Sequence, residues 1–167
     1  MRHQTITDGA WQRIVHVSRW MPGRQLVIVA DGTSAVWDFL LNVSRLPQVC
    51  VITRLRLDAC VYDPAPPREA GKTGRKALKG KRQPKLAQRR HDPRTVWQKH
   101  TLSWSSGTTR AMELATGTAL WYPSPVPPVA IRWVLMRDPA GPYKPLALLC
   151  TKQQAEAQQV VEWCVLR

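Results

Sequence analysis

Acids are scarce in this chain. Its 11 Asp and Glu face 25 Lys and Arg, giving a net charge of +14 and a pI of about 10.5. That imbalance predicts a polyanionic partner, with nucleic acid ahead of a membrane surface. Long apolar runs are missing as well. No stretch approaches the roughly 20 residues of a membrane span, and the N-terminus lacks the apolar core of a signal peptide. Cysteine is sparse: Cys50, Cys60, Cys150 and Cys164 are scattered, with no C-x-x-C. They read as reduced thiols in a cytoplasmic protein. His3, His16, His91 and His100 have no zinc spacing. There is no internal repeat. What is present is 44% apolar content over 167 residues, which suits one domain with a core of its own.

The first third alternates helix and strand. Thr7 and Asp8 are placed to cap a helix whose apolar positions are Trp11, Ile14, Val15, Val17 and Met21, and Pro22-Gly23 ends it. Residues 26–30 read as a short strand, apolar throughout, as when helices cover both faces of a parallel sheet. A second helix is expected from about Ser34 to Leu46, stopped by Pro47. A second strand follows from Val49 to Ala59, with Arg54, Arg56 and Asp58 on one face and Leu55, Leu57 and Ala59 on the other. The spacing suits a crossover between parallel neighbours.

The character then changes. Residues 64–90 read "PAPPREAGKTGRKALKGKRQPKLAQRR". Between Arg68 and Arg90 there are ten Lys or Arg against one acid, Glu69, so this stretch carries nine of the fourteen net charges. Its low apolar content predicts a mobile segment when free. Strand-like runs follow at 95–104, 109–122, 129–138 and 145–150, separated by "SSG", "PSPVPP" and "DPAGP". A last helix is expected from about Gln153 to Leu166.

The first strand stops at an acid, Asp31, followed by "GTSA". Ligands of open α/β sheets bind at the carboxyl ends of such strands. A carboxylate there is held rigidly yet stays open to substrate. The plain alternative is a capping aspartate for the next helix. The turn lacks the glycine spacing of a phosphate cradle, which weakens a nucleotide-binding reading.

Taken in order, "LVIVADG", "VCVITRLRLDACVYDPAPP", "TGTALWY", "PPVAIRWVLMRDPAG" and "PLALLCT" resemble bacterial insertion-sequence transposases of the DDE type, from about residue 4 to the C-terminus. The resemblance implies an α/β chain: a partial RNase H-like domain with a β-rich insertion before the last core helix. Its layout would be a partial core over 1–63, a basic flexible loop over 64–94, the insertion over 95–150 and the start of the last core helix over 151–167. In that family three acids bind two divalent metals, Mg2+ or Mn2+, about 3.5–4 Å apart, and these stabilise the attacking and leaving oxygens of a phosphodiester.

The resemblance puts the second acid, catalytic and metal-binding, on Asp31. The first belongs on an earlier strand, and Asp8 reads instead as a cap. The third follows an Arg in a pattern like R-W-x-x-E, and Arg167 matches that Arg. Glu162 falls nine residues short of the expected glutamate, which at about 100° per residue is the opposite helix face. Cys164 stands where relatives often carry a tyrosine. The expectation is therefore a middle and late piece of a longer transposase, inactive alone but DNA-binding. Its open sheet edge would favour self-association.

Arg54, Arg56 and Arg167 are candidate phosphate contacts near the metal site. Arg54 and Arg56 could equally pair with Asp58 and other surface acids. Lys76, Lys79, Lys81 and Arg82 represent the basic run, which either grips DNA in a salt-dependent, sequence-insensitive way or is a solvated loop. Trp104, Trp121 and Trp133 read as core. The competing function is a non-enzymatic basic protein that binds nucleic acid without metal.

Overall fold

A computed structural model describes residues 6–31, 37–68, 71, 73–104, 107–122 and 127–165. In chain order the elements are α1 (Ile6–Trp20), β1 (Leu26–Val29), α2 (Trp37–Ser44), β2 (Val49–Leu55), β3 (Val61–Tyr62), α3 (Leu86–Arg89), β4 (Gln98–Ser103), β5 (Thr109–Trp121), β6 (Val129–Arg137), β7 (Leu146–Cys150) and α4 (Ala157–Val165). The fold is mixed α/β. One seven-stranded sheet runs in the order β1-β2-β7-β6-β5-β3, and β4 pairs with the first half of β5. Among the described residues only β1 and β2 are parallel, with Val29 opposite Ile52, and the other strand pairings are antiparallel.

Strict alternation splits the core into two layers. On β6, Ile131, Trp133 and Leu135 face one side, and Val134 and Met136 the other. α2 covers the first side with Phe39, Leu40 and Val43. α4 covers the second with Ala157, Val160 and Val161, over Cys50, Ile52, Leu148 and Cys150. β2 is thus buried on both faces, as its continuous apolar run requires. β1 stands at the end of the strand order and is only half-buried. The strands of 95–150 continue the same sheet, with Ile52 of β2 directly opposite Cys150 of β7.

Several elements differ from expectation. α1 already includes Ile6, so Asp8 lies in its first turn, where a negative charge suits the helix dipole, rather than at a cap. The first half of α1 packs, through Ala10, Trp11 and Ile14, whereas Val17 and Met21 are exposed. β2 ends at Leu55 instead of running to Ala59. There Ala59 N–H bonds back to the Arg56 carbonyl at 3.1 Å, a turn that breaks the extended chain. The last helix begins at Ala157, four residues after the expected start.

The largest difference concerns the basic stretch, whose second half is docked. Leu86 of α3 is fully buried in the α2-side core, and Ala87 N–H bonds to the Leu57 carbonyl at 2.9 Å. Lys79 lies between two aromatic rings, 3.7 Å from the centroid of Tyr62 and 4.3 Å from that of Tyr122. Asp63 N–H and Gly80 N–H complete the attachment, each bonding at 2.8 Å across the two segments. Composition predicts mobility because it counts few apolar groups. One buried leucine, two cation–π contacts and the backbone hydrogen bonds between the segments attach it all the same.

Candidate active site

The carboxyl end of β1 is fixed by its neighbour. Ala30 N–H bonds to the Ile52 carbonyl at 2.8 Å, extending the parallel ladder one residue past the strand. The hydroxyl of Thr53, a fully buried side chain, then donates to the Asp31 carbonyl at 2.6 Å. Asp31 itself is exposed. Residues 32–36, the expected helix start after it, lie outside the described residues.

Arg54 is next on β2, on the α4 side by alternation with Ile52. With Ala30 it lines a cavity of about 210 Å³. Val161, Cys164 and Val165 of α4 close one wall, and Trp104 and Tyr143 another. The Arg110 guanidinium sits 4.4 Å from the Tyr143 ring centroid and is itself paired with the buried carboxylate of Asp138 at 3.1 Å. The structure therefore brings the end of β1, Arg54 and the last turns of α4 to one place.

Other sequence candidates lie elsewhere. Arg56 forms a two-pronged pair with Asp58, at 2.9 and 2.8 Å, and both are highly exposed. That pair holds the Asp58 carboxyl below the usual carboxylate range. Glu162 accepts from Gln158 at 3.0 Å, and Gln158 in turn meets His100 of β4 at 3.2 Å. Glu162 thus lies along a different face of α4 from the one lining the Arg54 cavity.

Lys76, Lys81 and Arg82 are exposed; the Arg82 guanidinium reaches the Cys60 sulfur at 2.8 Å. α3 packs on the α2 side of the sheet, so the sheet stands between it and the Arg54 cavity. Arg167 lies outside the described residues. Trp133 is in the α2-side core with Trp121 partly buried against it, and Trp104 is partly buried against the α4-side core.

Sequence reasoning missed Thr53, because a threonine in a strand carries no sign of the carbonyl it will bond. It also missed the contact of Lys79 with the nearly perpendicular rings of Tyr62 and Tyr122, whose members lie far apart in the chain. The thiols of Cys50 and Cys150 meet at 3.4 Å inside the α4-side core. The hydrogen bond with Cys150 pushes the Cys50 thiol down, and the same bond pushes Cys150 up. The four cysteines are free.

Residues 1–119 match the model of the DDE superfamily endonuclease family. The chain belongs to that family. The match covers α1 through most of β5. Among curated proteins none matches this chain. DDE endonucleases act on DNA with divalent metal, and membership implies an RNase H-like fold. Among the described residues, no helix is long and apolar enough to cross a membrane.

Among the described residues, no group of three or more His, Cys, Asp or Glu is arranged to hold an ion. The cavity next to the end of β1 is lined by Ala30 and a cation, Arg54, and its α4 wall offers a thiol and aliphatic groups. This set does not fit a two-metal centre, which needs several hard oxygen ligands.

Proposed function

We propose that this chain supplies part of the catalytic core of a DDE transposase and binds DNA, with Asp31 as one carboxylate for Mg2+ or Mn2+. The reading takes residues 1–63 as a partial RNase H-like core, 95–150 as a β-rich insertion and α4 as the beginning of the last core helix. One observation carries it. In the only parallel strand pair among the described residues, β1 leads into an exposed acid, Asp31, and the residue before it, Ala30, lines a cavity together with Arg54 and α4. That is where an α/β sheet binds its ligand.

Arg54 is the phosphate contact of this site, and the exposed bases Lys76, Lys81 and Arg82 add a longer-range grip on DNA. A single carboxylate holds magnesium weakly, because the ion surrenders its waters reluctantly. The chain alone therefore binds DNA without cutting it. The open edge of β1 is short and half-buried, and a further strand can pair there, from another copy or a partner.

The test uses two measurements on the purified chain. Mn2+ should broaden the amide resonances of Ala30, Thr53 and Arg54 by paramagnetic relaxation, and Asp31→Asn should abolish the effect. Supercoiled plasmid with Mg2+ or Mn2+ should remain uncut. Broadening that survives Asp31→Asn would remove Asp31 as a ligand.

A second reading, DNA binding without any chemistry, is favoured by the lack of an acid cluster among the described residues. It predicts that neither Mn2+ nor Asp31→Asn changes anything near β1.

A further inference from the structure

A separate pocket opens on the α2 side of the sheet, about 460 Å³ in volume, between the chain around α3 and strands β5 and β6. Its walls include Arg89, Asp92, Arg94, Thr116 and Trp133. Two of the lining residues carry a buried nitrogen without a hydrogen-bond partner among the described residues: Nε of Arg89 and Nε1 of Trp133. Both are N–H groups that can only donate. A buried donor left unpaired is costly, so each calls for an acceptor.

The walls decide what kind of acceptor. Arg94 is bound by Asp92 through both its side chain, at 3.1 and 3.0 Å, and its backbone N–H, at 2.9 Å. The Asp92 carboxylate is thereby engaged, and the Arg89 guanidinium leaves the lining net positive.

The donors are also held in place. Arg89 donates to Gln83 at 3.2 Å through Nη2, and its carbonyl accepts from the Thr95 hydroxyl at 2.7 Å. Trp133 is 4% exposed and lies against Gly117, where a Cβ would come 2.7 Å from the ring; the Arg89 guanidinium carbon is 5.0 Å from the ring centroid. A side chain at position 117 would push the indole off the strand. Glycine there lets the ring lie flat beside Arg89.

We propose that this pocket seats a phosphate oxyanion, bound by Arg89 Nε–H and the Trp133 indole N–H. The anion is either a DNA backbone phosphodiester, which rests on the DNA-binding reading above, or free phosphate, which does not.

The experiment follows the indole N–H resonances of 15N-tryptophan-labelled protein. The chain has eight tryptophans, and the signal lost in Trp133→Phe identifies the one in the pocket. Inorganic phosphate should move that resonance saturably, while sodium chloride of equal ionic strength should not. Arg89→Lys keeps the charge but removes the guanidinium Nε–H. It should weaken phosphate binding by roughly tenfold, the cost of one charge-assisted hydrogen bond. The seven other indole signals report whether each variant is still folded.

A resonance that ignores phosphate, follows chloride equally, or behaves the same in Arg89→Lys overturns the proposal. A short DNA duplex then separates the sources. If it moves the same resonance, and Arg89→Lys removes that shift, the seat takes a backbone phosphate. If only inorganic phosphate moves it, the seat stands as a site for the free ion. A duplex that binds while neither ligand moves the resonance overturns the seat and leaves DNA binding intact. Phosphate binding without any duplex binding does the reverse.

Discussion

The buried hydroxyl of Thr53 donates to the backbone carbonyl of Asp31 at 2.6 Å, bridging β2 to the chain just past β1. This bond sets where the acid emerges from the sheet. Thr53→Val removes the donor but keeps the shape. Because Asp31 is exposed, its carbonyl can turn to water, and the expected loss is about 1 kcal/mol in urea unfolding. The local effect should be larger than the global one. Amide exchange at Ala30, bonded to the Ile52 carbonyl, should speed up in Thr53→Val and stay near wild type in Thr53→Ser.

The basic stretch should contribute to DNA affinity through its exposed members only. Lys76→Ala, Lys81→Ala and Arg82→Ala together should flatten the dependence of log affinity on log salt by up to about 3, if each meets one phosphate. Lys79 is held between Tyr62 and Tyr122, so adding Lys79→Ala should change the slope little beyond that. Filter binding at four salt concentrations measures both. A slope unchanged by the triple substitution would show that DNA is held elsewhere.

Arg56 is engaged by Asp58, and this sets a pH dependence. The pair keeps the Asp58 carboxyl below its ordinary range, so its contribution to stability is present above that range and fades as pH falls through the lowered value. The pair is exposed, so the effect is small and shrinks with salt. In a carbon-detected titration, Arg56→Ala should return Asp58 toward about 3.9. Asp58→Asn should free Arg56 and tighten DNA binding, whereas Arg56→Ala should weaken it only slightly.

Leu86 anchors the docked half of the basic stretch. Leu86→Ala removes a fully buried side chain from the α2-side core, a change that typically costs about 2–5 kcal/mol in a rigid site. Here the segment can lift away instead, so part of the loss should appear as local opening. Trypsin should cut after Lys79, Lys81, Arg82 and Lys85 several-fold faster in the variant, with a smaller fall in the global urea midpoint. Equal cleavage rates would mean that the segment is held by its polar contacts alone.

Local pattern made most of the elements legible. Alternation in "VAIRWVLMR" marks the strand observed as Val129–Arg137, and the apolar run 26–30 contains β1, because side-chain direction repeats every two residues in any strand. The acid at its end and the cations at 54 and 56 were equally readable as residue types. What each cation does was not. Arg56 turned onto Asp58 because the chain bends after Leu55, while Arg54 stayed on the strand and faces the α4 side.

Sheet order lay beyond the sequence. β2 meets β7 through residues about a hundred positions apart, and nothing local encodes that choice among several antiparallel partners. The same holds for the docked lysine and for the Arg89–Trp133 pocket. Composition determined that residues 68–90 are strongly basic. Only packing decided that Leu86 enters the core, that Lys79 is taken by two tyrosines, and that the residues carrying two buried N–H donors line one pocket.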